Sequence, residues 1–443
     1  MKKTKNILIR TKIPAPGTLD ILKKLSRFES RSMQGQLPIV WKKAKDFNIY
    51  DISNNKFIDF TSTIFVSNIG HSNKRLKKYI SKTLKEDLIH SYAYINKVRT
   101  LYLKELVEFS GKNFDKAFLM SAGTEATEAA LKLMRMNGQI NKKNRLGIIC
   151  FEGNWHGRTM GAQLMSGNKE QKKWVGFEDK NIHHLPFPYP WIVNEDKSEK
   201  FLKDSLNSLL KKKKLNLKND ICGVMIETFQ GWGALYYPKK YMKLLEKICK
   251  KNRIILSFDE MQSGFARTGY KFGYEYYDVK PDLICCGKGM GGGVAVSGVI
   301  GKKKIMDLPE VGNMSSTNSA NPIACQAGLA VLDEIKKKKL VSKSKKKGEF
   351  LFRKLNNIKK KFPEIISYVS GHGLIYALIF KNDKYIVKKL RDLAISCMKD
   401  GLLVVYTGRE SIKIGPPLSI TLDALEEGTK IIEKNLNNIF SKR

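Results

Sequence analysis

The middle of the chain alternates short apolar runs with amphipathic stretches. Strands buried on both faces read as continuous apolar runs, so this alternation predicts a parallel sheet covered by helices. It predicts strands at Lys116–Met120, Arg145–Phe151, Ile221–Glu227, Ile254–Asp259 and Asp282–Cys286, with helices from about Thr124 to Met136 and over Tyr241–Lys251. The flanks read differently. Residues 37–60 predict a small antiparallel meander, with turn signals at Asn48 and at Ser53–Asn55. After about residue 325 come long Lys-rich helices, and Ile365–Phe380, with the glycines of GHGLIYALIF, reads as strands. A chain of 443 residues exceeds one ordinary hydrophobic core. Two domains are therefore expected: a large α/β domain at 71–325, and a smaller one joined from 1–70 and 326–443.

Composition excludes several classes. The apolar fraction of 42% allows a sizeable core, yet no run reaches the roughly 18 apolar residues that a membrane helix needs. The N-terminal apolar stretch is only Ile7 to Ile9, short of the roughly 7–15 residues of a secretory signal. Seven cysteines, an odd number with Cys285 and Cys286 adjacent and no C-x-x-C, suit small buried residues in a reducing compartment. A cytoplasmic location is expected. Metal binding is not, since H-E-x-x-H and clustered Cys/His spacings are missing from the sequence. The net charge of +39 raises a nucleic-acid or anionic-membrane partner. The runs Lys211–Lys214 and Lys336–Lys339 lack interleaved aromatics that would stack bases, and lysine rises together with Asn and Ile. The charge reads as a solvated background, with no nucleic acid or membrane as partner.

Three successive predicted strands end in a polar residue: Glu227 in VMIETFQG, Asp259 in ILSFDEMQSG, and Lys288 just after LICCGK. The separations, 32 and 29 residues, each suit one strand–helix–strand unit. Ligands of open α/β sheets bind beyond the carboxyl ends of the strands. Two carboxylates and a lysine thus converge on one cleft. Any one alone would be an ordinary strand-end salt bridge or turn residue; the three with their neighbouring glycines point to chemistry. Upstream, Ser121, Gly123 and Thr124 sit at a strand-to-helix turn, where helix N–H groups and the dipole face an anion. Alone that signal is weak, because Ser and Thr are common helix caps. A nucleotide P-loop at GKGMGGG fails, since residue 282 is Asp and residue 289 is Gly.

The segments SAGTEATEAALKLMR, NWHGRTMGA, IETFQGWGA, FDEMQSGFARTG, CCGKGMGGGVAVSGVIG and STNSANPIA occur in this order. Together they resemble the class III (ω-amino acid) aminotransferases of pyridoxal-phosphate (PLP) fold type I, 4-aminobutyrate aminotransferase-like, over residues 37 to 435. The resemblance implies a seven-stranded, mainly parallel sheet, a smaller α+β domain from both termini, PLP as cofactor, and a homodimer or tetramer. It implies that Lys288 forms the Schiff base with the cofactor aldehyde and shuttles a proton, and that Asp259 keeps the pyridine nitrogen protonated. It further implies that Gln262 holds the ring hydroxyl, that Trp155 stacks on the ring, and that Gly123 and Thr124 cup the phosphate. Thr317 matches a threonine that reaches the phosphate of the neighbouring subunit. Glu227 and Arg158 match a pair in the substrate pocket, where Arg158 either clamps a carboxylate or pairs with Glu227.

Two positions depart from the γ-aminobutyrate and ornithine branches. A gate glutamate after Q-G is here Trp232, and an arginine three residues before the P-P element is here Lys413. Lysine is a point charge and cannot fork onto a carboxylate; Arg409, nearby in sequence, is a candidate substitute. The expected activity is transamination from an ω-amino acid or amine such as 4-aminobutyrate to an oxo acid. A PLP-dependent amino-acid racemase or epimerase is the alternative within the family. A non-catalytic basic binding protein on the same scaffold is the alternative outside it, and the intact Lys288 and Asp259 argue against that.

Overall fold

The structure, a computed structural model, describes residues 1–140 and 144–440, which form two compact units. One unit comprises residues 75–231 and 235–341. Its centre is a seven-stranded sheet in the order Lys116–Met120, Ser297–Gly301, Leu283–Cys286, Ile255–Asp259, Ile221–Glu227, Gly147–Phe151, Ile182–Leu185. Ser297–Gly301 pairs antiparallel with both of its neighbours, and the remaining pairs are parallel. This is the mainly parallel sheet expected. Three strands begin later than the apolar pattern predicts, at Gly147, Ile255 and Leu283. The residues ahead of two of them are polar and otherwise engaged: Arg145 bonds main-chain carbonyls, and the Asp282 carboxylate accepts the Leu256 N–H at 3.0 Å.

Helix Gly123–Gln139 lays Ala126, Ala130, Leu133 and Met134 on this sheet, against Ile148, Met225 and Val299. Their i, i+4 and i, i+7 spacing makes one apolar stripe. Helix Lys239–Asn252 does the same with Tyr241, Leu245 and Cys249. Helix Pro322–Lys337 starts with Pro at its first turn and an Asn321 cap that accepts the Ala324 N–H at 2.9 Å. It is buried on most sides, and a Cβ at Gly328 would overlap the ring of Tyr102. That burial holds the helix in this unit, whose boundary falls after Val341 instead of at 325.

The other unit comprises residues 1–74, 232–234 and 342–443. Trp41–Lys45, Asn48–Asp51 and Lys56–Asp59 form the expected antiparallel meander. Asn48, read as a turn residue, instead begins a strand: its buried amide donates to the carbonyls of Asn6 and Phe57 at 3.0 and 2.9 Å. Ile366–His372, Ile375–Phe380, Ser411–Ile414 and Val405–Tyr406 form a second antiparallel sheet. The three residues Trp232–Ala234 belong here because Ser411 Oγ donates to the Trp232 carbonyl at 2.9 Å and Ser370 Oγ to the Ala234 carbonyl at 2.6 Å. Ser62, Thr63, Ile64 and Phe65 have φ of 46°, 52°, 59° and 67°, a left-handed turn without glycine. Left-handed backbone costs an L-residue roughly 1–2 kcal/mol, and Phe65 at the end of this turn is buried. No helix among the described residues is long and apolar enough to cross a membrane.

Candidate active site

Strand register builds the site. Asp259 pairs with Glu227 on one side and with Cys285 on the other, so the two carboxylates end adjacent parallel strands. Lys288 follows the next strand, after Gly287, and starts a short 3-10 turn with φ of 43°, a strained angle for a residue with a side chain. Burial pushes the Lys288 ammonium down, while the Asp259 and Glu227 carboxylates oppose that shift. The three polar strand ends foreseen in the sequence are therefore electrostatically coupled.

Asp259 is buried. One oxygen accepts the Met261 N–H at 3.0 Å and the other lies 2.9 Å from His156 Nδ1. The far nitrogen of His156 is buried without a hydrogen-bond partner among the described residues. Sequence reading passed over this histidine, although it sits between two selected residues in NWHGR. It also passed over Glu260, which is buried and accepts from Thr228 and Ser263 hydroxyls and the Gly273 and Tyr274 N–H groups at 2.6–2.7 Å. Burial pushes the Glu260 carboxyl up, and these four donors oppose it. Glu260 thereby fastens the loop that follows Asp259.

Gly123 and Thr124 open the long helix, and the first N–H groups of a helix have no acceptor within it. Glu125 accepts the Ser121 and Ala122 N–H groups at 2.9 and 2.8 Å, fixing the entry turn. A Cβ at Gly123 would stand 2.7 Å from Met261 Sδ, so a larger residue there would require the Met261 side chain to move. The Thr124 and Thr159 hydroxyls lie 2.6 Å apart. Trp155, half-buried, donates its main-chain N–H to Glu227 at 3.0 Å, and the Gly231 main-chain N–H reaches the same oxygen at 3.3 Å. The Arg158 guanidinium lies 4.6 Å from the Trp155 ring centroid. Gln262 sits against Gly231, where a Cβ would come within 2.6 Å of its amide nitrogen. Thr317 is on an exposed loop, its carbonyl 2.9 Å from His90 Nε2.

The remaining selected residues belong to the other unit. Arg409 lays its guanidinium 3.9 Å from the Trp232 ring centroid and reaches Glu410 at 3.1 Å. Lys413, only 4% exposed, points its ammonium at the Phe65 ring, 4.3 Å from the centroid. Both cations are thus held by aromatic faces.

Residues 30–436 match the family model described as Aminotransferase class-III. The chain belongs to the class III aminotransferase family. It is 34% identical over 402 residues to the mitochondrial acetylornithine aminotransferase of Candida glabrata, covering 88% of each chain. It is 30% identical over 435 residues to the leucine/methionine racemase of Thermococcus litoralis, covering 96% of each. The crystal structure of ornithine aminotransferase from Toxoplasma gondii ME49 has the same fold, with a TM-score of 0.85 at 24% identity over 96% of each chain. This class III enzyme is a PLP-dependent aminotransferase, and its fold, class and cofactor agree with the motif resemblance.

Proposed function

We propose that the enzyme moves the amino group of a terminal amine, 4-aminobutyrate or a related ω-amino acid, to an oxo acid. In this reading Lys288 holds the cofactor between turnovers and carries the proton of the carbon that bears the amine. Asp259 faces the ring nitrogen, and His156 orients Asp259. Gln262 takes the ring hydroxyl, Trp155 the ring face, and Gly123 and Thr124 the phosphate. Thr317 serves the neighbouring protomer's phosphate, so the working form is a homodimer. Bound PLP supplies an electron sink for the charge left when the proton departs. The residues fit that group. A buried lysine whose charged form is disfavoured is a ready nucleophile, and a glycine-lined helix N-terminus suits a phosphate. The observation that carries the reading is the register that sets Glu227 beside Asp259, with Lys288 one strand on.

Arg158, Glu227, Trp232, Lys413 and Arg409 select the substrate in this reading. A single ammonium at 413 grips an α-carboxylate less directionally than an arginine fork, and the Trp232 indole favours an apolar segment near the reacting carbon. Solved relatives include one named ornithine delta-aminotransferase, which also acts at a terminal amine by that name. A reducing compartment, the cytoplasm in our reading, suits seven buried free thiols, although some relatives are mitochondrial by name.

The test is a panel of amines with and without 2-oxoglutarate and pyruvate, followed through cofactor absorbance. Terminal amines should change the spectrum, and only an oxo acid should restore it. Inertness toward every terminal amine would sink the donor assignment. The second reading, racemisation, is favoured by the 96% coverage of the T. litoralis racemase. It predicts inversion of an amino acid with no oxo acid present.

A further inference from the structure

A cavity of about 470 Å³ opens at the end of the seven-stranded sheet opposite Glu227 and Asp259. It lies where Ile255–Asp259 and Leu283–Cys286 begin, and where Ser297–Gly301, running the other way, ends. Arg145, Lys250, Arg253, Lys302 and Lys304 line it, against the single carboxylate of Asp282. Two of these cations are neutralised: Lys302 by Asp282 at 2.6 Å, and Lys250 by Glu246 at 2.7 Å. Arg145, Arg253 and Lys304 make no ion pair among the described residues.

Arg145 is the unusual member. It is 7% exposed, and its Nε is buried without an acceptor among the described residues. Its other nitrogens donate to the carbonyls of Ile221, Asn252 and Arg253. Those bonds tie the end of helix Lys239–Asn252 to the sheet, and they satisfy part of the guanidinium. Carbonyl dipoles do not neutralise a buried charge, which normally requires a counter-ion. Burial pushes the Arg145 pKa down; Cys222 and Asp220 oppose that push, and the neighbouring Arg253 adds to it. The solvated lysines elsewhere on the surface have no such cost. The buried side chains of Ile254, Ile255 and Ile305 also line the cavity beside these charges.

We propose that this cavity binds a small multivalent anion of the phosphate class, with Arg253 and Lys304 as its mobile donors and Arg145 as the buried charge behind them. Its volume falls within the range of small-molecule sites. Free phosphate, pyrophosphate and the phosphates of a nucleotide share this chemistry.

The test is equilibrium binding of inorganic phosphate, pyrophosphate and a nucleoside diphosphate to cofactor-saturated enzyme, so that the cofactor's own phosphate site is filled. Pyrophosphate should bind saturably and raise Tm. Arg253→Ala with Lys304→Ala, both exposed side chains, should weaken it at least about tenfold. Lys211→Ala with Lys212→Ala, removing two exposed lysines elsewhere, should leave it unchanged. Tighter binding of the nucleotide than of pyrophosphate would identify a nucleotide as the ligand; equal binding would identify the free anion. Non-saturable binding of all three, or equal losses in the two double variants, would overturn the proposal.

Discussion

In residues 75–231 and 235–341, the charges at the strand ends are placed by strand register and hydrogen bonds. Asp259 is buried between a backbone N–H and His156, Glu227 accepts two backbone N–H groups, and Lys288 follows from strand order. In residues 1–74, 232–234 and 342–443, the candidate substrate cations rest on aromatic rings instead, Arg409 on Trp232 and Lys413 on Phe65. Hydrogen-bonded carboxylates at strand ends have one arrangement. A cation over a ring face is attracted by the ring's quadrupole. In the proposed function, the contrast places the chemistry in the first unit and the choice among substrates in the second.

The comparison breaks most sharply at Lys288. Lys288→Ala should lower single-turnover rates by at least about 10³-fold, since in the proposed function one residue supplies both nucleophile and proton carrier. A loss under tenfold would remove Lys288 from that role. Asp259→Ala should cost about 10²-fold and weaken cofactor retention, as loss of a preorganised charge does. His156→Leu should act in the same direction but about tenfold, and shift the pH dependence of cofactor absorbance, while His156→Asn, which keeps a donor, restores most of it. A His156→Leu variant with an unchanged spectrum would make the histidine a packing residue only.

The same contrast explains what was legible in the sequence. Asp259, Glu227 and Lys288 were readable because mainly apolar, buried runs end where charge returns, and their spacing matched the crossover unit. The strand Ile182–Leu185 carries His183 and His184, so its run is broken and the apolar pattern passed over it. The left-handed turn at Ser62–Phe65 was invisible because TSTIF contains none of the residues that favour positive φ. The partnership of His156 with Asp259 spans 103 residues, and no local pattern encodes it. The ring–cation pairs at Trp232 and Phe65 likewise arise from tertiary packing alone.

Smaller effects sharpen the second half of the comparison. Trp232→Glu combined with Lys413→Arg should raise kcat/KM for 2-oxoglutarate about tenfold, because a planar fork replaces a point charge, and leave pyruvate little changed. An unmodified enzyme that already prefers 2-oxoglutarate, and loses that preference in the double variant, would shift the carboxylate site to Arg409. The smallest effect is on pH. Cofactor uptake by the apoenzyme needs neutral Lys288, so its rate should rise with pH through a midpoint below the ordinary 10.5. Asp259→Asn removes a charge that raises this midpoint and should lower it further. A midpoint that rises in the variant would contradict the coupling.

The most direct measurement is borohydride reduction of the cofactor-loaded enzyme, followed by peptide mass mapping. The cofactor should be fixed to the peptide carrying Lys288 and to no other lysine among the chain's many. Labelling spread over surface lysines, or a cofactor fixed elsewhere while activity is lost, would contradict the assignment of Lys288 on which the rest depends.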